Sequence, residues 1–432
     1  MPRSGRSLAP IRTSKHRRAA TKASPAVLHL EADTRPSSRS AVLGRLYHGE
    51  NLGVMLALLP ELEGRIDLIY ADPPFNTGRT YPVRVGRGED SRRPATWKRA
   101  PGYADQWDAP GEYLEMLAPR VELMYRLLAP TGTLYLHLDW RAAAYARVLL
   151  DQVFGADRLL NEIVWVYHGP SPIRSAFKRK HDTILVYTKS NRYTFNADAI
   201  RVPYDASTLK AFASSRRAGF GKRPQLARGK VPEDWWYFPV VARLHSERTG
   251  YPTQKPLALL DRIVRASTRR GGLVADFFCG SGTAAAAAAK AGRRWLACDE
   301  AAPAIATTYR RLLLEAPERR LQLWTSRPQR ALNSRGLRLR WNRDGRNLEV
   351  VLASPSVRGR TASRASEVNV WEVDWDAGGI FHSHGRAVRP WRSGDLPLSL
   401  SHRYPRSGRY RVRVRAWDGH GRVFSVERSV EV

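Results

Sequence analysis

The sequence predicts an α/β protein built on a largely parallel sheet, followed by a second unit made only of strands. Three observations carry this reading. Strand-like and helical runs alternate from about residue 41 to 160 and again from about 250 to 325, the pattern of parallel strands joined by crossover helices. A Gly-rich loop, Gly280-Ser281-Gly282, lies where an apolar strand gives way to a helix, and such loops let backbone approach a ligand closely. From about residue 331 the helical period is gone and short alternating runs replace it, the texture of a β-sandwich. A chain of 432 residues with 43% hydrophobic content has enough apolar mass for two or three cored domains.

The N-terminal residues 1–40 are basic, poor in large apolar side chains and free of acids before Glu31, which predicts a disordered arm. An Arg- and Ser-rich start also resembles an organellar transit peptide; a DNA-touching or a solubilising tail are the other readings. "RIDLIY" reads as a strand, "GEYLEMLAPRVELMYRLLAP" as an amphipathic helix, "GTLYLHLD" as a strand and "RAAAYARVLLDQVFG" as a helix. In the first helix Leu114, Leu117, Val121, Met124 and Leu128 recur at helical spacing and mark a core face. Residues 161–248 are less regular and rich in Trp, Tyr, Arg and Lys. The strand Leu273 to Phe278, the Ala-rich helix to Lys290 and a strand ending at Asp299 restore the βα pattern; the Ala run itself reads as a helix former's choice. In the tail, "RGLRLRW", "NLEVVLASP", "EVNVWEVDWDAGG" and "YRVRVRAWDGHGR" read as strands. Val412, Val414 and Ala416 alternate there with Arg411, Arg413 and Arg415, predicting a half-buried strand with a basic outer face.

The formal charge is +32 and the pI about 10.9, so a polyanion is the expected partner. Of the 72 basic residues 61 are Arg, a bias that the base composition of a genome also produces. Two cysteines, Cys279 and Cys298, are too few for a disulfide framework and lack zinc-site spacing. A reduced, intracellular and soluble protein with no metal is expected. No apolar stretch reaches the length of a membrane span.

Two stretches carry chemistry. In "DLIYADPPFNTG" an apolar strand stops at an acid, two prolines and an aromatic ring, where ordinary turns place Gly, Asn or Ser. The Asp72 carboxylate and the Pro73 carbonyl are two acceptors in rigid geometry, suited to a flat –NH2 group, and Phe75 offers a stacking face beside them. In "LVADFFCGSGT" the Gly loop is followed 19 positions after Gly280 by Asp299, an acid placed to bind a ribose. That is a nucleoside-cofactor loop. A dinucleotide oxidoreductase with Ala285 in the last fingerprint position, or a Gly turn without a ligand, are the alternatives at this point. Both stretches end strands, and open α/β sheets gather ligands at the carboxyl ends of strands.

"DPPFNTG", "YPTQKPLALLDRIV" and "DFFCGSGT", in that order, resemble the beta-class S-adenosylmethionine-dependent DNA amino-methyltransferases, whose catalytic motif precedes the cofactor motif. "LYHGEN", "HLDWRAAAYARVLLDQVFG", "NEIVWVY" and "KRKHDTILVYTKS" are similar to family segments too, so the resemblance covers about residues 45–320. It implies a Rossmann-like sheet with permuted motif order over residues 41–325 and S-adenosylmethionine as cofactor. It implies a catalytic set of Asp72, Pro73, Pro74 and Phe75. Around the cofactor it implies Asp276, Phe277, Phe278, Cys279, Gly280, Ser281, Gly282 and Thr283, with Asp299 on the ribose. Thr253, Gln254, Lys255 and Pro256 would line the same pocket, with Glu50 or Asn51 facing the adenine. Glu50 and Ala284 stand where the family has Asp and Thr. Residues 161–248 fall where this class inserts its target-recognition region, and Arg174, Lys178, Arg179 and Lys180 are the expected phosphate contacts; Trp235 and Trp236 are candidates for DNA contact or for core. Asp before the prolines resembles the adenine-N6 enzymes, with cytosine N4 as the alternative and a catalytically silent DNA-binding protein as a further one. The expected partner is double-stranded DNA, with a restriction endonuclease as companion in some members, and the expected location is cytoplasmic, at the nucleoid. "SHRYPRSGRYRVRVRAWDGHG" is similar to the last hairpin of PKD-like modules, which gives residues 331–432 as a PKD-like β-sandwich.

Overall fold

The computed structural model describes residues 23–34, 44–85, 98–107, 109–214, 225–242, 245–326, 337–354, 356–358, 365–391 and 395–432. The chain begins β1 (His29–Thr34), β2 (Gly44–His48), α1 (Asn51–Leu62), β3 (Ile66–Ala71), β4 (Arg79–Val85), β5 (Lys98–Asp105), α2 (Pro110–Leu127), β6 (Leu128–Leu138) and α3 (Ala143–Phe154). It continues β7 (Leu159–Val166), β8 (His181–Thr188), α4 (Ala206–Ser214), β9 (Trp235–Tyr237), α5 (Leu257–Ser267), β10 (Leu273–Asp276), α6 (Thr283–Lys290), β11 (Arg294–Asp299), α7 (Ala302–Glu315) and β12 (Leu321–Thr325). The remainder is strand: β13 (Leu339–Asp344), β14 (Asn347–Leu352), β15 (Ser356–Arg358), β16 (Ala365–Asp374), β17 (Phe381–His382), β18 (Gly385–Val388), β19 (Ser399–Arg403), β20 (Arg409–Asp418) and β21 (Val423–Glu431).

Eleven strands form one sheet in the order β17-β1-β12-β2-β11-β10-β3-β6-β8-β7-β9. From β12 to β6 all neighbours are parallel, while β8 pairs antiparallel with both β6 and β7. Apolar side chains pack on both faces. Val54, Leu58, Leu117, Val121 and Leu149 of α1, α2 and α3 fill one face; Leu259, Ile263, Ile305 and Leu312 of α5 and α7 fill the other. Of the predicted helical core face, Leu114, Leu117, Val121 and Met124 are buried on α2, whereas Leu128 is buried as the first residue of β6. The Ala run does more than form a helix: Ala284 to Ala289 are each 4% exposed or less, and their small side chains let α6 lie close among its neighbours. Asp276 at the end of β10 lies in register with Tyr70 of β3, so the two strands deliver their motifs side by side. The chain then leaves them for opposite faces, α2 after β3 and α6 after β10, which makes their junction the switch point of the sheet.

Two expectations are corrected. Part of the arm expected to be disordered is ordered: β1 pairs with β12 and β17, Asp33 accepts from Arg320 at 2.5 and 2.8 Å, and Thr34 exchanges bonds with Leu321. The reason is that β12 would otherwise leave an unpaired strand edge; residues 1–22 and 35–40 lie outside the described residues. The outer face of β20 is also not uniformly solvated. Val412, Val414 and Ala416 are buried as expected, but so is Arg415, at 4% exposure, because it points into the junction with α7.

The last strands form antiparallel sheets, β13-β14-β19 and β15-β16-β20-β21 with β18 beside β16. They close over one core that includes Val350, Val368, Trp371, Val373, Val412 and Val414. This unit is fastened to α7: Tyr309 donates to Glu372 at 2.8 Å, its ring lies 5.4 Å from that of Trp417, and Arg415 reaches Glu372 at 3.1 Å.

Candidate active site

At the carboxyl ends of β3 and β10 lie two cavities of about 540 and 440 Å³, which share a wall of Phe75, Tyr251, Pro252, Thr253, Gln254 and Lys255. The corner after β3 is built to be stiff. Pro73 and Pro74 fix their own φ angles, Asn76 turns the chain in the left-handed region at φ 61°, and Asp105 clasps Asn76 and Thr77. Its carboxylate accepts from the Asn76 amide at 2.5 Å and the Thr77 hydroxyl at 2.6 Å. The strand thus ends in a locked bend that presents Asp72 to the first cavity and Phe75 to both.

Asp72 is half-paired. Its Oδ2 receives the Lys255 ammonium at 2.5 Å; its Oδ1 is buried and has no hydrogen-bond partner among the described residues. Lys255 is itself 8% exposed and stands 5.0 Å from the centre of the Phe75 ring. Behind Phe75 a buried relay crosses the sheet: Tyr70 bonds His137 Nδ1 at 2.8 Å, His137 Nε2 meets Asp182 at 3.2 Å, and Tyr167 donates to Asp182 at 3.1 Å. A proton on His137 Nε2 serves the Asp182 carboxylate, and the Tyr70 hydroxyl meets Nδ1. Burial pushes the Asp182 carboxyl up, but the His137 bond and the charges of His137 and Lys255 outweigh it and hold it below its ordinary range.

The glycine loop wraps the first cavity from the other side. Gly280 is left-handed at φ 48°, and a Cβ there would come within 3.1 Å of the Tyr251 ring. Its amide donates to Asp299 at 2.9 Å, and Asp299 also accepts from Ala301, so this acid closes the loop as well as facing the cavity. Burial raises its carboxyl to about 6. Asp276 is raised to about 8 by burial above all, with the charges of Asp72 and Asp299 adding to it. Five carboxyl groups line this cavity, those of Glu50, Asp72, Asp276, Asp299 and Glu300, against Lys255 paired to Asp72 and Arg120 paired to Glu50, a lining matched to a positively charged ligand. Thr253, at φ 55°, is a β-branched residue in a conformation such residues avoid, and strain of this kind collects at ligand sites.

Residues 72–75, 276–281, 253–255, Thr283, Asp299, Glu50 and Asn51 all line the first cavity. Gly282 and Pro256 do not. Gly282 starts α6 in the left-handed region, where a Cβ would clash with Thr308 at 2.6 Å, and Pro256 caps α5. Several lining groups are already bonded. Gln254 accepts from Thr249 and donates to Glu247, Asn51 bridges Phe277 and Arg120, and Glu50 caps α1 and pairs with Arg120 at 2.6 Å. Burial drives the Cys279 thiol well above its ordinary range, so it is no nucleophile. Arg174, Lys178 and Arg179 are exposed on the segment between β7 and β8, outside both cavities; Lys180 folds back onto the Pro170 carbonyl at 3.0 Å. Trp235 is 61% exposed, whereas Trp236 is buried and bonded to Glu233. Sequence reasoning missed the Asp72 bond of Lys255 and the Tyr70–His137–Asp182 relay. Asp182 and its neighbour His181 stood in a segment noted only for its similarity, without a chemical signal of their own.

A family model described as DNA methylase, N6_N4_Mtase, matches residues 66–309. The type II methyltransferase M.HpaI of Haemophilus parainfluenzae is 32% identical over 222 residues, covering 51% of this chain and 60% of its own length. The DNA adenine methyltransferase YhdJ of Escherichia coli (strain K12) is 28% identical over 270 residues, 62% of this chain and 82% of that protein. Among solved structures, the PvuII DNA methyltransferase (cytosine-N4-specific) aligns with a TM-score of 0.43 at 17% identity, covering 63% of this chain and 88% of that one. The chain thus spans less than two thirds of the length of M.HpaI.

Proposed function

The chain belongs to the N6/N4 DNA methylase family, and from that premise we propose that it transfers a methyl group from S-adenosylmethionine to the exocyclic amine of a base in double-stranded DNA, adenine N6 being the target. The observation that carries this reading is the unpartnered, buried Oδ1 of Asp72, one strand away from a glycine loop ringed by carboxyl groups.

S-adenosylmethionine, when bound, supplies an electrophilic methyl on a cationic sulfur. The donor set fits such a group: Asp299 supplies negative charge and Asp276 a carboxyl that a bound cation would ionise, Gly280 leaves room that a Cβ would fill against Tyr251, and Thr253 to Lys255 close the wall. The remaining steps belong to the protein. An aromatic amine is a poor nucleophile because its lone pair is delocalised. Asp72 Oδ1 and the Pro73 carbonyl accept its two hydrogens, which favours a pyramidal nitrogen with its lone pair directed out of the ring. Lys255 occupies the other Asp72 oxygen and so fixes which oxygen faces the amine. Phe75 stacks on the base, offsetting part of the roughly few kcal/mol that extrusion from the duplex costs.

Asp ahead of the prolines favours adenine, and one relative is named a DNA adenine methyltransferase. Cytosine N4 presents the same amine to the same acceptors. Incubation with methyl-labelled S-adenosylmethionine and unmodified DNA, followed by nucleoside analysis, tests both. Label in N6-methyladenine is expected; label in N4-methylcytosine would replace the target, and no label in DNA would end the reading. On this reading the protein acts in the cytoplasm on chromosomal DNA, Arg174, Lys178 and Arg179 meet phosphates, and residues 331–432 act as a PKD-like appendage.

A further inference from the structure

Between β7 and β8 the chain makes an excursion whose two roots, Tyr167 and Asp182, both line the second cavity. The excursion is closed at its base. The Tyr167 amide donates to the Lys180 carbonyl at 3.0 Å, the Tyr167 hydroxyl to Asp182 at 3.1 Å, and Lys180 Nζ to the Pro170 carbonyl at 3.0 Å. From this anchored lobe Phe177 stands out with 99% of its surface exposed. Arg179 lies against the Trp140 ring at 4.2 Å; Trp140 is 47% exposed and sits between Asp139 and Arg141, which line the same cavity.

An aromatic ring held fully in water on a lobe rooted beside a cavity needs an occupant that covers it. Residues 171–180 hold four cations and no acid, so that occupant has an anionic rim around a flat apolar interior. A base-stacked duplex has both, and a protein partner would have to supply an acidic ring around an apolar pocket to match. We propose that Phe177 is a wedge that enters the DNA base stack as the target base turns in toward Asp72 and Phe75, with Arg174, Lys178 and Arg179 on the flanking phosphates. The inference rests on the methyltransfer reading. Extruding a base leaves a gap one ring thick, and an apolar side chain inserted there restores stacking that the duplex has lost. The bonds at the base of the lobe limit the ordering that remains to be done on binding.

Unmodified plasmid DNA treated with the full-length protein and labelled S-adenosylmethionine locates the methylated sequence. Duplexes are then built on it, with the target base paired or facing an abasic position. Because Phe177 is almost wholly exposed, Phe177→Ala should fold normally and keep cofactor affinity. It should slow single-turnover methylation of the paired duplex at least about tenfold, equivalent to about 1.4 kcal/mol. On the abasic-facing duplex, where the base is already free, it should recover to within about threefold, and Phe177→Trp should stay near wild type on both, since any broad π-face stacks. Equal rates of Phe177→Ala and wild type on the paired duplex, or equal loss on both duplexes, overturns the wedge. Failure of the unaltered protein to methylate any DNA overturns the methyltransfer reading, and the wedge with it.

Discussion

Asp72 and Lys255 come from segments 183 positions apart and meet at 2.5 Å, with side chains 17% and 9% exposed. Removing one partner of such a pair leaves the other charge buried and unmatched, so Lys255→Met should destabilise the fold by roughly 3–5 kcal/mol in urea unfolding. The double variant Asp72→Asn/Lys255→Met should regain most of that stability without regaining turnover. Asp72→Ala should lower single-turnover methylation by roughly 10²- to 10³-fold while cofactor affinity changes little. Asp276 sets a pH dependence. Its carboxyl, raised to about 8, is protonated more readily in the folded than in the unfolded chain. Its contribution to stability is therefore present below the ordinary carboxylate range and is lost as pH rises to about 8. A cationic ligand reverses the preference, because it favours the ionised form. S-adenosylmethionine affinity should rise from about pH 6 to pH 8 with release of a proton, seen by calorimetry in buffers of different ionisation enthalpy, and Asp276→Asn should flatten the rise.

At the scale of elements, α7 is a wall with two sides. Thr308 donates to the Gly280 carbonyl at 3.0 Å, and Arg311, fully buried, bonds Thr283 at 2.9 Å and the Ser281 carbonyl at 3.3 Å. The two residues between them face the strands of the tail: Tyr309 bonds Glu372, and Arg310 bonds the carbonyls of Arg389 and Pro390 at 2.9 and 2.8 Å. Four consecutive side chains thus serve the glycine loop and the tail strands from one helix. Arg311→Met should loosen the loop and raise the cofactor KM about tenfold with kcat at saturation less changed, the signature of lost ground-state binding. Tyr309→Phe should cost about 0.5–1.5 kcal/mol of stability and leave cofactor affinity alone. Calorimetric affinity and urea unfolding of both variants separate the two sides; loss of cofactor binding in Tyr309→Phe would contradict the division.

The whole molecule is tied at the same place. Arg415 is enclosed by Glu372 at 3.1 Å, Glu31 at 3.4 Å and the rings of Phe381 and Trp417, and Gly421 of the last hairpin approaches Ala302 so closely that a Cβ would lie 2.2 Å from its carbonyl oxygen. The two parts should therefore unfold in one calorimetric transition, with Glu372→Leu lowering it because a buried guanidinium loses its main counter-charge; two separated transitions would show independent units. The charge of +32 acts over a longer range. Duplex affinity should fall at least about tenfold between 50 and 200 mM salt, the response of two or more released counterions. Replacing Arg174, Lys178 and Arg179 by Ala should flatten that slope without changing the base that is methylated.

What the sequence by itself determined was local. Strand and helix periods placed β3, α2, β6, α3 and β10 to β11, and Pro73, Pro74, Gly280 and Gly282 marked where the backbone had to bend, because stiffness and periodicity are properties of neighbouring residues. Order along the chain also carried the family, since the motifs are contiguous strings. The tertiary structure decided the pairings. Lys255 was read as a pocket residue and bonds Asp72; His137 was one letter of a strand and joins Tyr70 to Asp182; Arg415 followed the alternation of an exposed face and is buried. His29–Thr34 lay in a polar arm and forms an edge strand. In each case the residue type says that a charge or a polar backbone needs a partner, but sheet register and the faces taken by α5, α6 and α7 choose which partner, and those are set by the packing of the whole chain.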